Sequence, residues 1–139
     1  MKKIRIAKIE AAAVIPTRKH PSDAGLDLYS LEAVTIEKQS SVSVRTGIAL
    51  DIPDGYVGLI LPKSRNNYIL GGGVVDAGYQ GEIKVKIINP SALPISIEAG
   101  SGIAQLLVVP IETPAVETVP LANLFAQKSE RGESGGIHA

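Results

Sequence analysis

The sequence predicts an all-β domain, an antiparallel β-sandwich or jelly roll, and three observations carry that expectation. Apolar residues recur with a period of two through most of the chain. Glycine- and proline-containing turns cut these runs into short segments. No window of about a dozen residues carries a helical apolar stripe.

The elements follow in order. Ile4 and Ile6 alternate with Lys3 and Arg5, giving a first strand up to Lys8. After a loop from Pro16 to Pro21, Asp23-Ala24-Gly25-Leu26-Asp27-Leu28-Tyr29 turns into a strand, and Val34 and Ile36 make the next. Val42, Val44, Thr46, Ile48, Leu50 and Ile52 keep strict alternation, which predicts one long strand ending at the Pro53-Asp54-Gly55 turn. Val57, Leu59 and Leu61 extend the pattern to a polar break, Pro62-Lys63-Ser64-Arg65-Asn66-Asn67. Residues 71–82 then read as a strand, a tight turn and a returning strand in which Ile83, Val85 and Ile87 alternate with Glu82, Lys84 and Lys86. Ile95 and Ile97 precede a turn at Ala99-Gly100-Ser101-Gly102. Ile103 to Val109 is apolar nearly throughout, as expected of a strand buried on both faces, and Gln105 is its one polar residue. Such a glutamine either bonds neighbouring backbone or points into a ligand site. Pro110, Pro114 and Pro120 punctuate Ile111 to Val119, which reads as an edge strand, and Leu121 to Gln127 as one helical turn.

The chain has 139 residues, enough for one domain, placed at residues 1–127, with a Ser-, Glu- and Gly-rich tail at 128–139. Fourteen Lys and Arg balance fourteen Asp and Glu. Nucleic acid and membrane surfaces are thereby disfavoured as partners. The absence of cysteine removes disulfides and thiolate metal sites and fits a reducing compartment. The basic start, Met1 to Ile6, alternates its charges with isoleucines and is neither a signal peptide nor an anchor, so a cytoplasmic location is expected.

The stretch Gly71-Gly72-Gly73-Val74-Val75-Asp76-Ala77-Gly78-Tyr79-Gln80-Gly81-Glu82 has the residues for chemistry. Glycines let a backbone approach a ligand closely, Asp76 can orient a water, and Tyr79 offers a flat apolar face in a chain only 4% aromatic. In Pro62-Lys63-Ser64-Arg65, two cations bracket a hydroxyl.

Taken together these stretches resemble the motifs of the trimeric dUTP diphosphatases (dUTPases), in the family's order. Ala24-Gly25-Leu26-Asp27-Leu28 matches the first motif, Pro62-Lys63-Ser64 part of the second, Gly73 to Glu82 the third, and Gly102-Ile103-Ala104-Gln105-Leu106 the fourth. The fifth is present only as Arg131-Gly132 followed by Gly135-Gly136. The resemblance implies a jelly-roll subunit of a homotrimer with shared active sites, and Mg²⁺-dependent hydrolysis of dUTP to dUMP and pyrophosphate. It implies that Asp76 orients the attacking water and that Ser64, Gln105, Lys63 and Arg65 contact the phosphates. Gly73 and Val75 would read the pyrimidine, Tyr79 would pack beneath the deoxyribose, Arg131 would close over the phosphates, and Asp27 would hold the Mg²⁺ water shell. Three departures stand out. Lys63-Ser64 occupies the place of the usual Arg-Ser, the segment between Ser64 and Asp76 is several residues shorter, and the chain ends Gly136-Ile137-His138-Ala139 without the aromatic that stacks on uracil. One alternative is a dUTPase-like regulatory protein that binds nucleotide with weak or no catalysis. The other is the related dCTP deaminase, in which Lys86 would occupy the position of the catalytic glutamate.

Overall fold

The computed structural model describes residues 3–125. Arg131 and the expected boundary near residue 127 lie outside them. In chain order the strands are β1 (Arg5–Lys8), β2 (Leu26–Tyr29), β3 (Val34–Ile36), β4 (Ser41–Arg45), β5 (Ile48–Asp51) and β6 (Tyr56–Leu61). There follow β7 (Ile69–Leu70), β8 (Gly73–Val75), β9 (Lys84–Ile88), β10 (Ile95–Ile97) and β11 (Gly102–Pro110), then a 3-10 turn at Leu121–Asn123. Every pairing is antiparallel. The largest sheet runs β2-β11-β6-β8, a second β4-β9-β7, and the pairs β1-β5 and β10-β3 complete an antiparallel β-sandwich of jelly-roll type.

The period-two pattern is what the layers require, since alternate residues enter one core. Leu28, Ile36, Ile48, Ile83, Ile87, Ile103 and Leu106 are almost wholly buried, and the core is aliphatic throughout. Asn89 is buried among them because its amide donates to the carbonyls of Ile36 and Leu93 at 3.0 and 2.8 Å while its Oδ1 accepts from the Ser91 N–H at 2.9 Å.

Four expectations about elements are corrected. The run from Val42 to Ile52 is two strands: β4 pairs with β9 and β5 with β1, and Gly47 at φ +71° lets the chain change sheets while Val44, Thr46, Ile48 and Leu50 all stay buried. Residues 71–88 do not form a simple hairpin. β8 pairs with β6, while the returning β9 pairs with β4 and β7, so the turn at Asp76 to Tyr79 bridges two sheets. Ile111 to Val119 is not a strand: it has no ladder partner among the described residues and lies exposed, Val116 at 93%. Ile103 to Val109 is buried on both faces only in its first half, to Leu106; from Leu107 to Val109 it is partly exposed.

Candidate active site

Five of the residues expected at the site are brought together around β11. In register, Gln105 faces Asp27 of β2 on one side and Leu61 of β6 on the other, and the chain leaving β6 carries Lys63, Ser64 and Arg65 past the same end of the sheet. Lys63 Nζ donates to Asp27 Oδ1 at 2.9 Å. Gln105 Nε2 donates to the Pro62 carbonyl at 2.9 Å, so its amide bonds neighbouring backbone. Gly25 makes the cluster possible, because a methyl there would overlap Gln105 Oε1. The Lys63–Asp27 pair is about a quarter to a third exposed on each side. Such a pair contributes at most about 1 kcal/mol and exchanges readily for a stronger anion or cation. Ser64 and Arg65 are exposed on the loop beyond.

The third-motif residues sit elsewhere. β8 is the edge of the largest sheet, with Gly73 opposite Ile60 and Val75 opposite Gly58. Its outer row of backbone amides and carbonyls therefore faces away from the ladder. The Val75 side chain is 5% exposed and belongs to the core, so anything it offers a ligand comes from its backbone. Asp76 follows at the end of the strand and is exposed. The Tyr79 N–H donates to the Asp76 carbonyl at 3.1 Å, and Gly78 at φ +81° supplies the third residue of a type II turn.

The register separates the two groups. Asp76 lies one residue beyond the Gly58–Val75 pair, toward the start of β6, whereas Gln105 pairs with Leu61 at its end. Two strand spacings and about four residues of rise leave them on the order of 15 Å apart. One chain therefore brings together Asp27, Lys63, Ser64, Arg65 and Gln105, and separately Asp76 and Tyr79, but not the two groups with one another. A cleft of about 440 Å³ beside Gly78 and Tyr79 is walled by β1 and β5, and another of about 420 Å³ lies between Arg65 to Tyr68 and the β10–β11 turn. Neither is lined by Asp76, Lys63 or Gln105.

The pairing of Glu82 with Arg45 was not legible in the sequence, where Glu82 belongs to an alternating charged face. Its side chain is 13% exposed, and its carboxylate accepts from Arg45 Nε at 3.1 Å and from the Gly47 N–H at 2.9 Å. Arg45 also reaches Glu10 at 3.0 Å and Glu32 at 3.5 Å. Hydrogen bonds to Glu10 and Glu82 raise its pKa above an already high ordinary value, so it stays charged. Tyr68, whose hydroxyl donates to the Ile103 carbonyl at 2.9 Å, has its pKa raised by burial and stays a neutral donor.

No group of three or more His, Asp or Glu side chains among the described residues could cage a metal ion. Among the described residues no helix is long and apolar enough to cross a membrane.

A profile of the dUTPase family matches residues 11–137. The deoxyuridine 5′-triphosphate nucleotidohydrolase of Mycolicibacterium vanbaalenii is 41% identical over 140 residues, covering 95% of this chain and 91% of that one. The enzyme of the same name from Corynebacterium diphtheriae is 42% identical over 139 residues, covering 95% and 89%. Among solved structures, a Staphylococcus bacteriophage 80alpha dUTPase with dUpNHpp superposes with a TM-score of 0.86 at 30% identity, covering 96% of this chain and 95% of the other. A dUTPase from phage phi11 of S. aureus, described with a structural Mg(II) ion, gives 0.80 at 30% identity, covering 85% and 97%.

Proposed function

The chain belongs to the dUTPase family, and on that premise we propose that it hydrolyses dUTP to dUMP and pyrophosphate, water attacking the α-phosphorus. The observation that carries the reading is similarity running through nearly the whole chain at about 40% identity.

In this reading Asp76 orients the water and accepts its proton as the bond from the α-phosphorus to the bridging oxygen breaks and pyrophosphate departs. Its exposed position at the end of β8 supports the role, since substrate can reach it. A triphosphate carries about four negative charges, so cations must sit along it before water can approach. Lys63 and Arg65 supply charge, and Ser64 and Gln105 donate to phosphate oxygens; Lys63 leaves Asp27 to do so at little cost. The outward backbone row of Gly73 to Val75 pairs with the alternating acceptors and donors of uracil and leaves cytosine mismatched, at about 1–3 kcal/mol per unpaired buried group. Tyr79, 47% exposed, lies beneath the deoxyribose and leaves no space for a 2′-hydroxyl.

The residues present fit Mg²⁺ only as an ion carried mainly by the triphosphate: Asp27 is the one carboxylate in the cluster, and it would touch the ion through water. When bound, the ion neutralises phosphate charge and draws electrons from phosphorus. Arg131, outside the described residues, would reach the phosphates from the tail.

The separation of Asp76 from Gln105 supports a homotrimer in which each site takes one group from each of two chains, because neither half reaches the other within one. We also propose a cytoplasmic location, where the deoxynucleotide pool is made and used. Release of pyrophosphate from dUTP by the purified protein with Mg²⁺ tests the activity. Ammonia released from dCTP instead, or nucleotide bound without turnover, would overturn it.

A further inference from the structure

The turn that carries Tyr79 is exposed, yet its ring is held in one place by a chain of contacts that the reaction does not account for. The Tyr79 hydroxyl donates to the Glu82 carbonyl at 3.0 Å, folding the phenol back over Gly81. That fold requires glycine, since a methyl at Gly81 would overlap the phenol ring and hydroxyl. The ring is therefore only as fixed as the Glu82 backbone. Glu82 is fixed from the interior side: its carboxylate takes the Gly47 N–H at 2.9 Å and Arg45 Nε at 3.1 Å. Gly47 and Arg45 in turn belong to the frame, Gly47 at the β4–β5 sheet change and Arg45 opposite Lys84 in the β4–β9 ladder. Arg45 is itself held by Glu10 and Glu32. An exposed tyrosine on a turn would otherwise sample several rotamers. A surface that discriminates by one hydroxyl has to be placed to a fraction of an ångström.

We propose that Arg45, Gly81 and Glu82 are positioning residues that set the preference for a deoxyribonucleotide over a ribonucleotide, by fixing the Tyr79 ring against the sugar. The proposal rests on the reading that Tyr79 lies beneath the deoxyribose. Arg45 and Glu82 touch no substrate. They convert an exposed side chain into a rigid floor by relaying the position of two sheets to one ring. A guanidinium suits the task because its fork can hold several carboxylates at once in fixed directions, which an ammonium does not.

The test is kcat/KM for dUTP and for UTP, with melting temperature, in the full-length protein carrying Tyr79→Ala, Tyr79→Phe, Gly81→Ala or Glu82→Gln. Tyr79→Ala lowers the dUTP/UTP ratio most. Gly81→Ala, which displaces the ring, lowers it by about tenfold, and Tyr79→Phe and Glu82→Gln, which free it, by about threefold to tenfold. In Gly81→Ala and Glu82→Gln the gain is in KM for UTP, while kcat for dUTP stays within a few-fold. Combining Tyr79→Phe with Glu82→Gln lowers the ratio no further than either alone, because both cut one chain of contacts. A merely structural role for Glu82 lowers the melting temperature and leaves the ratio unchanged. If Glu82→Gln does not fold, Tyr79→Phe and Gly81→Ala still decide. Wild-type ratios in Tyr79→Phe, Gly81→Ala and Glu82→Gln beside a lowered ratio in Tyr79→Ala would overturn the clamp and keep the sugar floor. A wild-type ratio in Tyr79→Ala would overturn the floor itself, and the clamp with it.

Discussion

The two ends of β6 hold two groups of residues, built in opposite ways. At the far end, Asp27, Lys63 and Gln105 come from three separate stretches and bond to one another and to backbone, with Gly25 leaving room for the amide of Gln105. At the near end, Asp76 and Tyr79 come from one stretch, are exposed, and are steadied from behind by Val75 in the core and Glu82 on its clamp. The first half is a set of polar groups already satisfied by neighbours, which on the proposed reading a triphosphate would displace. The second is a projecting turn whose side chains are exposed, with β1 and β5 across a cleft from Tyr79 and none of the first group lining that cleft. On the proposed reading, each half finds its counterpart on another copy.

The largest effect comes from breaking that contrast directly. Asp76→Asn is expected to lower turnover about 10² to 10⁴-fold with little loss of nucleotide affinity, the usual contribution of a positioned base. Gln105→Ala damages the other half. Unfolding the two variants together at equal amounts and refolding them should restore up to about a quarter of wild-type activity, since that share of shared sites would receive both intact halves. Mixtures no more active than the separate variants would mean that each chain completes its own site.

The same contrast explains what could be read from the sequence. The strands were legible because the alternation that buries Leu28, Ile36, Val85 or Leu106 is written in consecutive residues. The motif stretches stood out because glycines, carboxylates and one of four tyrosines are set there in an otherwise aliphatic chain. What could not be read was pairing. Thr46-Gly47-Ile48 keeps the alternation while passing from one sheet to another, so nothing in the pattern marks the change. A glycine-rich stretch followed by an alternating strand looks like a hairpin whether its limbs pair together or, as here, with β6 and β4. Residues 111–119 have strand-like composition but no ladder partner among the described residues. Glu82 shares its alternation with the exposed Lys84 and Lys86 and differs only by the guanidinium that folding brings to it from position 45.

A smaller effect sharpens the account of the satisfied half. Lys63→Met removes the cation paired with Asp27, and KM for dUTP should rise about tenfold with a flatter salt dependence. The melting temperature should barely move, because a pair this exposed contributes at most about 1 kcal/mol. A drop of several degrees with KM unchanged would make the pair a structural strut rather than a phosphate site in waiting.

The smallest effect asks whether the packing around Gln105 matters to the reaction or only to the fold. Gly25 and Gly81 do the same thing in the two halves, each leaving out a methyl so that a polar side chain can lie across it. At Gly25 no positive φ demands glycine; the constraint is space alone, since Gln105 Oε1 and Cβ lie where a new Cβ would go. Gly25→Ala should therefore push the amide off its bond to the Pro62 carbonyl and lower kcat/KM for dUTP by about threefold to tenfold. Part of that loss should vanish when Gln105→Ala is already present, because the displaced group is then gone; the two changes share one contact and are not additive. Equal losses from Gly25→Ala with and without the glutamine side chain would show that the methyl acts by distorting β2 and Asp27. The glycine of the first motif would then serve the strand, and its match to Gly81 would be one of shape only.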